Sequence, residues 1–150
     1  MFTKEQRSTF PYWFAHWCAF QMTALNLGAW KFKYLFHDIE KPFLKLILGD
    51  YKKVQKWHRY HNNHHLQYKN PDKIDWEALI IDWECSRFTK TASPRTAREE
   101  METYKPIEPK KEDFNNNIVY LSHLSSYIAE KNYYEWMEKN MKPILDRLKI

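Results

Sequence analysis

A chain of 150 residues with a formal net charge of +5 and a pI near 9.1 is long enough for one hydrophobic core without disulfide or metal staples, and its basic excess favours an anionic ligand such as a nucleotide, a nucleic acid or a phosphoester. With only two glycines, Gly28 and Gly49, it has no place for Gly-rich phosphate loops, dinucleotide-binding turns or multi-hairpin β folds, all of which need positive φ. Its apolar stretches are broken by residues such as Gln21, Asn26, Lys31 and Lys33 before reaching the roughly 18 consecutive apolar residues a membrane span requires. The cysteines, Cys18 and Cys85, have no ligand-like spacing, and no leader-type segment is read, so a soluble, reducing, cytoplasmic setting is expected.

Taken in order, apolar residues recur at helical spacing from Phe10 to Leu27, with Ser8 or Thr9 as cap, Pro11 in the first turn and Gly28 past the end. A second helix is expected over Ala29–Glu40, with His37 and Asp38 near its C-terminal end and Pro42 where it stops or the next begins. After Gly49-Asp50 a third helix is read from Tyr51 to about Tyr68, broken by Asn70-Pro71, and a fourth from about Asp75 to Lys90. Ser93-Pro94 reads as the cap of a short charged helix over Arg95–Tyr104. Lys105–Asp113 reads as an exposed connection, and helical periodicity returns from Phe114 onward with interruptions near Asn132 and Pro143. The expected fold is all-α, a compact irregular bundle of six to seven helices in a single domain, with a motif-bearing core over about 10–104 and a helical extension over about 113–150.

The chemistry lies in an ordered series: His16, then His37-Asp38, then His61 with His64-His65, then Asp82, each group on a different expected helix. Imidazole and carboxylate are the ligands that suit divalent metals, and a helical bundle can assemble such a site from several helices. His16 is flanked by Phe14, Trp17 and Phe20, and His37-Asp38 follows Tyr34, Leu35 and Phe36; buried polar groups in such settings need a metal or a hydrogen-bond partner. Four histidines stand between His58 and His65. Helical spacing puts His61, His64 and His65 on one face, and the order of preference as ligands is His64, His61, His65, His58. Asp82 sits among Leu79, Ile80, Ile81 and Trp83, near the edge of the apolar face. His123 has no ligand-type neighbour and is read as structural.

The order H…HD…H…HH…D resembles the metal-dependent phosphohydrolases of the HD superfamily. The segments Phe36-His37-Asp38-Ile39-Glu40-Lys41, His61-Asn62-Asn63-His64-His65 and Ile81-Asp82-Trp83-Glu84 are also similar to an uncharacterised family of bacterial and phage proteins sharing His-Asp-x-x-Lys and Asn-x-His-His blocks. For a phage-encoded chain the compartment would be the host cytoplasm. The resemblance implies His16, His37, Asp38 and Asp82 as metal ligands, with His61, His64 and His65 as candidates, His61 and His64 first, where a second ion binds, and one or two divalent ions (Mn, Fe, Zn, Ni, Co or Mg) as cofactor. It also implies hydrolysis of a nucleotide or related phosphoester by a metal-activated water. Asp38 would bridge two ions or orient the water, His65 or His58 would give a proton to the leaving oxygen, and Lys41, Arg59 and Arg87 would meet phosphate. Two other functions fit the same residues: a di-iron oxygenase, and a non-catalytic module for a nucleotide or nucleic acid. The expected partner is a small phosphorylated ligand, with nucleic acid and a second copy of the chain as further candidates and no membrane; the residues after 104 are read as covering the core or forming a dimer surface.

Overall fold

Tyr12, Ala15, His16, Ala19, Phe20, Thr23 and Ala24 recur three and four residues apart, and in a computed structural model of the chain they form the buried stripe of α1 (Phe10–Asn26). Thr9 caps this helix, its hydroxyl accepting from the Tyr12 amide, and Pro11 occupies the first turn, where no amide is needed. Gly28 stops it at φ 66°, and the Ala29 amide turns back to the Ala24 carbonyl at 2.9 Å. Glycine makes this left-handed stop at no steric cost. The structure describes residues 2–90, 95–104, 108–124, 135, 139–140 and 142–147.

The chain is all-α, an irregular helical bundle. After α1 come α2 (Glu40–Leu48), α3 (Tyr51–His61), α4 (Trp76–Thr89), α5 (Ala97–Tyr104), α6 (Glu108–Leu124) and α7 (Lys142–Arg147), with 3-10 turns over Glu5–Ser8, Phe32–Phe36 and Pro71–Lys73. Among the described residues the β-type pairing is an isolated bridge between Phe2 and Lys90. α1 packs against α4, α4 against α5 and α6, and α2 against α3. The core gathers Ala15, Ala19 and Phe20 of α1, Leu79, Ile81 and Cys85 of α4, Met101 of α5 and Phe114 of α6. Because α4 is buried on nearly every side from Glu77 to Thr89, Asp82 is itself buried and not at the edge of an apolar face. No helix among the described residues is long and apolar enough to cross a membrane.

Three expected boundaries differ. The helix expected over Ala29–Glu40 is absent; a 3-10 turn over Phe32–Phe36 is followed by His37 at ψ 123° and Asp38 at φ 58°. What replaces the lost helical hydrogen bonds is a ladder from α1. The Gln21 amide, Trp17 indole and Trp13 indole donate to the carbonyls of Tyr34 (2.6 Å), Leu35 (3.1 Å) and Asp38 (2.8 Å), so the irregular backbone is satisfied without helix. The third helix ends at His61 and not near Tyr68. Asn62 adopts extended backbone, and its side-chain amide donates to the His58 carbonyl at 3.2 Å and to Glu40 Oε1 at 2.8 Å, the competition by which short polar side chains end helices. The stretch expected as an exposed connection to Asp113 is instead helical from Glu108, with Pro109 in the first turn of α6, as Pro143 is in that of α7. Ser93-Pro94 and the break near Asn132 lie outside the described residues, as does the side chain of His123.

Candidate metal centre

His16 is carried by the buried stripe of α1 and Asp82 by the centre of α4, and because those helices pack together the imidazole Nε2 meets Asp82 Oδ1 at 2.8 Å. His37 and Asp38 enter from the irregular segment between α1 and α2. His37 Nε2 lies 3.4 Å from Asp82 Oδ1 and 3.6 Å from Asp38 Oδ2, and His16 Nε2 is also 3.6 Å from Asp38 Oδ2. All four residues are buried, and each offers one ligand-type atom within 4.8 Å of the others. Asp38, His58, His64 and His65 form a second such group, in which Asp38 Oδ1 faces His58 Nε2 at 3.0 Å and His64 Nε2 at 3.2 Å, and His65 Nε2 stands 2.6 Å from His58 Nε2. Asp38 belongs to both groups, one oxygen turned to each.

These edges fit a metal. Donors about 2.0–2.2 Å from one ion stand roughly 2.9–3.6 Å from each other in octahedral or tetrahedral arrangement; the edges of 3.0 to 3.6 Å fall within it, and His16–Asp82 at 2.8 Å and His58–His65 at 2.6 Å are shorter. His37 Nε2 is buried and has no hydrogen-bond partner, an unmet polar atom that costs free energy unless something occupies the space in front of it. Its ring is clamped by Phe20, stacked at 3.7 Å, and burial pushes its pKa down to about 4 against the pull of Asp38. The imidazole is therefore neutral at ordinary pH, as a ligand must be. Glu40 holds His58 Nδ1, which leaves Nε2 turned to the group; a carboxylate behind a histidine is the usual support of a metal-bound imidazole. Asp38 itself is in the left-handed region at φ 58°, which aspartate tolerates better than most residues at a cost of about 1–2 kcal/mol; such strain concentrates at functional sites.

The carboxylates remain charged. Burial alone would raise Asp38, but His37, Lys41 and His58 outweigh it and hold the group well below the ordinary range. Asp82 is likewise held down, burial being overcome by the hydrogen bond of His16 and by the imidazole of His37 3.4 Å away. Lys41 pairs with Asp38 Oδ2, and although burial opposes its charge, Asp38 and Asp82 raise its pKa, so it remains an ammonium. His65 is pushed well below the usual histidine value by burial and by His64 and His58. A neutral His65 suits a ligand or proton acceptor, and gives a proton to a leaving oxygen, the role expected from the sequence, only after it has accepted one.

Of the expected metal ligands, His16, His37, Asp38, Asp82 and His64 come together. His61 stands outside both groups, stacked on Trp57 at 4.2 Å with Nδ1 bonded to the Trp57 carbonyl, because α3 ends there and His64 and His65 belong to the following turn, not to its face. His58, placed last by spacing, is fully buried and takes the position instead. The signal was Val54, the single aliphatic residue of α3, which lies four residues before His58 and marks the buried face. The supporting pair Glu40 and Asn62 lies within the His-Asp-x-x-Lys and Asn-x-His-His blocks, but the sequence assigned neither a role. A cavity of about 950 Å³ opens at the site, lined by His16, Lys41, His65 and Asp82 and by Arg59. Arg87, expected at phosphate, is not among its lining residues, which on and just after α4 are Asp82, Trp83, Ser86 and Lys90; Arg87 lies beside the Phe88 ring. No family model, curated protein or solved structure matches the chain, so its chemistry is read from these residues.

Proposed function

We propose that the protein is a metal-dependent phosphohydrolase, of the kind the HD superfamily exemplifies, acting on a nucleotide or related phosphoester. The observation that carries this reading is the sharing of Asp38: Oδ2 faces His16 and His37 beside Asp82, and Oδ1 faces His58 and His64 beside His65. One carboxylate between two imidazole-rich groups is suited to two adjacent divalent ions. Such ions supply Lewis acidity toward a phosphoryl oxygen and lower the pKa of water.

The remaining steps fall to the chain. In hydrolysis a water oxygen bonds to phosphorus, the ester P–O bond breaks, and the leaving oxygen departs with a proton. Lys41, kept protonated by Asp38 and Asp82, stands at the cavity wall as a fixed positive charge for developing negative charge on the phosphoryl oxygens. Arg59 lines the same cavity from an exposed position on α3 and suits phosphate of the incoming ligand. His65, held neutral, would take the proton that the attacking water gives up and return it to the leaving oxygen, so Asp38, His58 and His64 are the members of the second group that would hold an ion.

The test is elemental analysis of protein purified without a chelating tag, alongside a His37→Ala/Asp38→Ala variant, followed by a phosphoester screen with the metal found. About one or two equivalents of divalent metal, lost in the folded variant and required for hydrolysis, is the expected result. No metal after incubation with each candidate ion would sink the reading. Bound iron with oxygen consumption and no hydrolysis would replace it with the di-iron oxygenase.

A further inference from the structure

Asp82 and Ser86 of α4 and Lys90, the extended residue that follows the helix, line the large cavity together. Arg7 reaches the same cavity from the N-terminal segment. That segment is pinned to the end of α4: the Phe2 amide donates to the Thr89 carbonyl at 2.8 Å, Phe2 pairs with Lys90 in the isolated bridge, and its buried ring meets Tyr12 edge-on at 5.5 Å. The 3-10 turn Glu5–Ser8 then holds Arg7 at the wall of both this cavity and a smaller one of about 300 Å³ beside it, and His16 lines both as well.

Neither cation is neutralised in place. Arg7 Nε is buried without a hydrogen-bond partner, and among the described residues no ion pair holds Arg7 or Lys90. Burial, with Arg7 adding to it, keeps Lys90 below the usual lysine value against the pull of Asp82. Both stand on a wall that they share with Asp82. Asp82 does not answer this charge once it serves as a metal ligand, because its own charge is then taken up by the ion. Lys41 is different, because it stands against Asp38 Oδ2 at the metal centre itself, where it serves the first phosphoryl group. Tyr12, kept protonated by burial, adds a hydroxyl-bearing side chain to the same wall.

We infer that Arg7 and Lys90 form an anion subsite beside the metal centre that takes a second phosphoryl group, so that the ligand class is an organic diphosphate or another phosphoester with two phosphoryl groups. The inference rests on the phosphohydrolase reading for the first of those groups. A guanidinium with free N–H donors and a neighbouring ammonium match the tetrahedral oxygens of a phosphoryl group, and the cavity volume accommodates far more than a single phosphate.

The experiment titrates metal-loaded and metal-free protein with methylenediphosphonate and with methylphosphonate, measuring metal content in the same samples. Wild type loaded with metal is expected to prefer the diphosphonate by about tenfold or more, and Arg7→Gln/Lys90→Gln to reduce that preference to about threefold or less while keeping its metal. Arg7→Lys/Lys90→Arg, which keeps both charges, is expected to retain the preference. Should the double Gln variant fail to fold, Lys90→Gln alone is titrated and is expected to lose about threefold. An unchanged preference in a metal-bearing Gln variant overturns the subsite and leaves the metal centre standing. If the protein takes up no metal, the phosphohydrolase reading falls and the metal-free titration decides the subsite: about tenfold weaker diphosphonate binding in the double Gln variant supports it, whereas equal binding, or none by wild type, overturns it.

Discussion

Asp38 presents Oδ1 to His58 Nε2 across 3.0 Å, while Glu40 occupies the other ring nitrogen of the same histidine. With Nδ1–H donated to Glu40, a neutral His58 turns an unprotonated Nε2 toward a carboxylate oxygen, an unfavourable facing of two lone pairs unless a cation or proton lies between them. Without metal this facing favours a proton on the ring: burial and Lys41 oppose its charge, but Asp38 and Glu40 prevail and raise its pKa above the ordinary histidine value. With metal, Glu40 is the group that keeps Nε2 available.

Glu40→Gln should therefore weaken metal binding at the group of Asp38, His58 and His64 by about 10–100-fold, the usual cost of losing a carboxylate behind a ligating histidine. The group of His16, His37 and Asp82 should be little changed. Competition titration against a chelating dye distinguishes two classes of site; equal weakening of both would contradict the assignment of Glu40 to one group.

Removal of single ligands should reveal the shared carboxylate. His16→Ala and His58→Ala are each expected to lose one of two bound ions, and Asp38→Ala to lose both, since its two oxygens serve different groups. His61→Ala should bind as wild type does, because His61 is stacked on Trp57 away from both groups. Metal analysis of the folded variants checks all four, and loss of an ion in His61→Ala would reverse the placement.

In chelator, the protein should lose stability as pH falls from about 6.5 to 4. Burial holds His37 at about 4 in the folded chain against 6.5 unfolded, so across this interval the unfolded state binds more protons and stability rises with pH. The contribution of His37 is on the order of 3 kcal/mol, present above pH 6.5 and lost as pH approaches 4. Urea unfolding of wild type and His37→Gln at several pH values checks this: the difference between them should shrink toward pH 4, and a constant difference would exclude His37 as its source.

Phe20→Ala should cost about 3–5 kcal/mol, as large-to-small substitutions of buried aromatics do. Phe20 is fully buried, stacks on His37 at 3.7 Å and meets Tyr34 edge-on at 5.2 Å. Chemical denaturation with and without metal measures it; because the ring also orients His37, metal affinity should fall together with stability, and a loss of stability alone would show that His37 keeps its place without it.

What the sequence by itself determined is the all-α class, the positions of α1 and α4 and the ligand-type residues on them. Those helices are legible because their signals are local: buried residues every three or four positions, Thr9 and Asp75 as caps whose side chains accept from backbone amides, and Gly28 at positive φ. The segments around His37 and His64 are not local in that sense. Their backbone is irregular because α1 side chains 13 to 25 residues away satisfy its carbonyls, and because the Asn63 carbonyl accepts from the Asp75 amide at 2.8 Å. Periodicity extended through such a segment yields helix, and with it the wrong histidine. Only the tertiary structure decided for His58 over His61, turned Asp38 between two groups, and brought Arg7 and Lys90 to one cavity wall, because each of these depends on packing between elements distant in the chain.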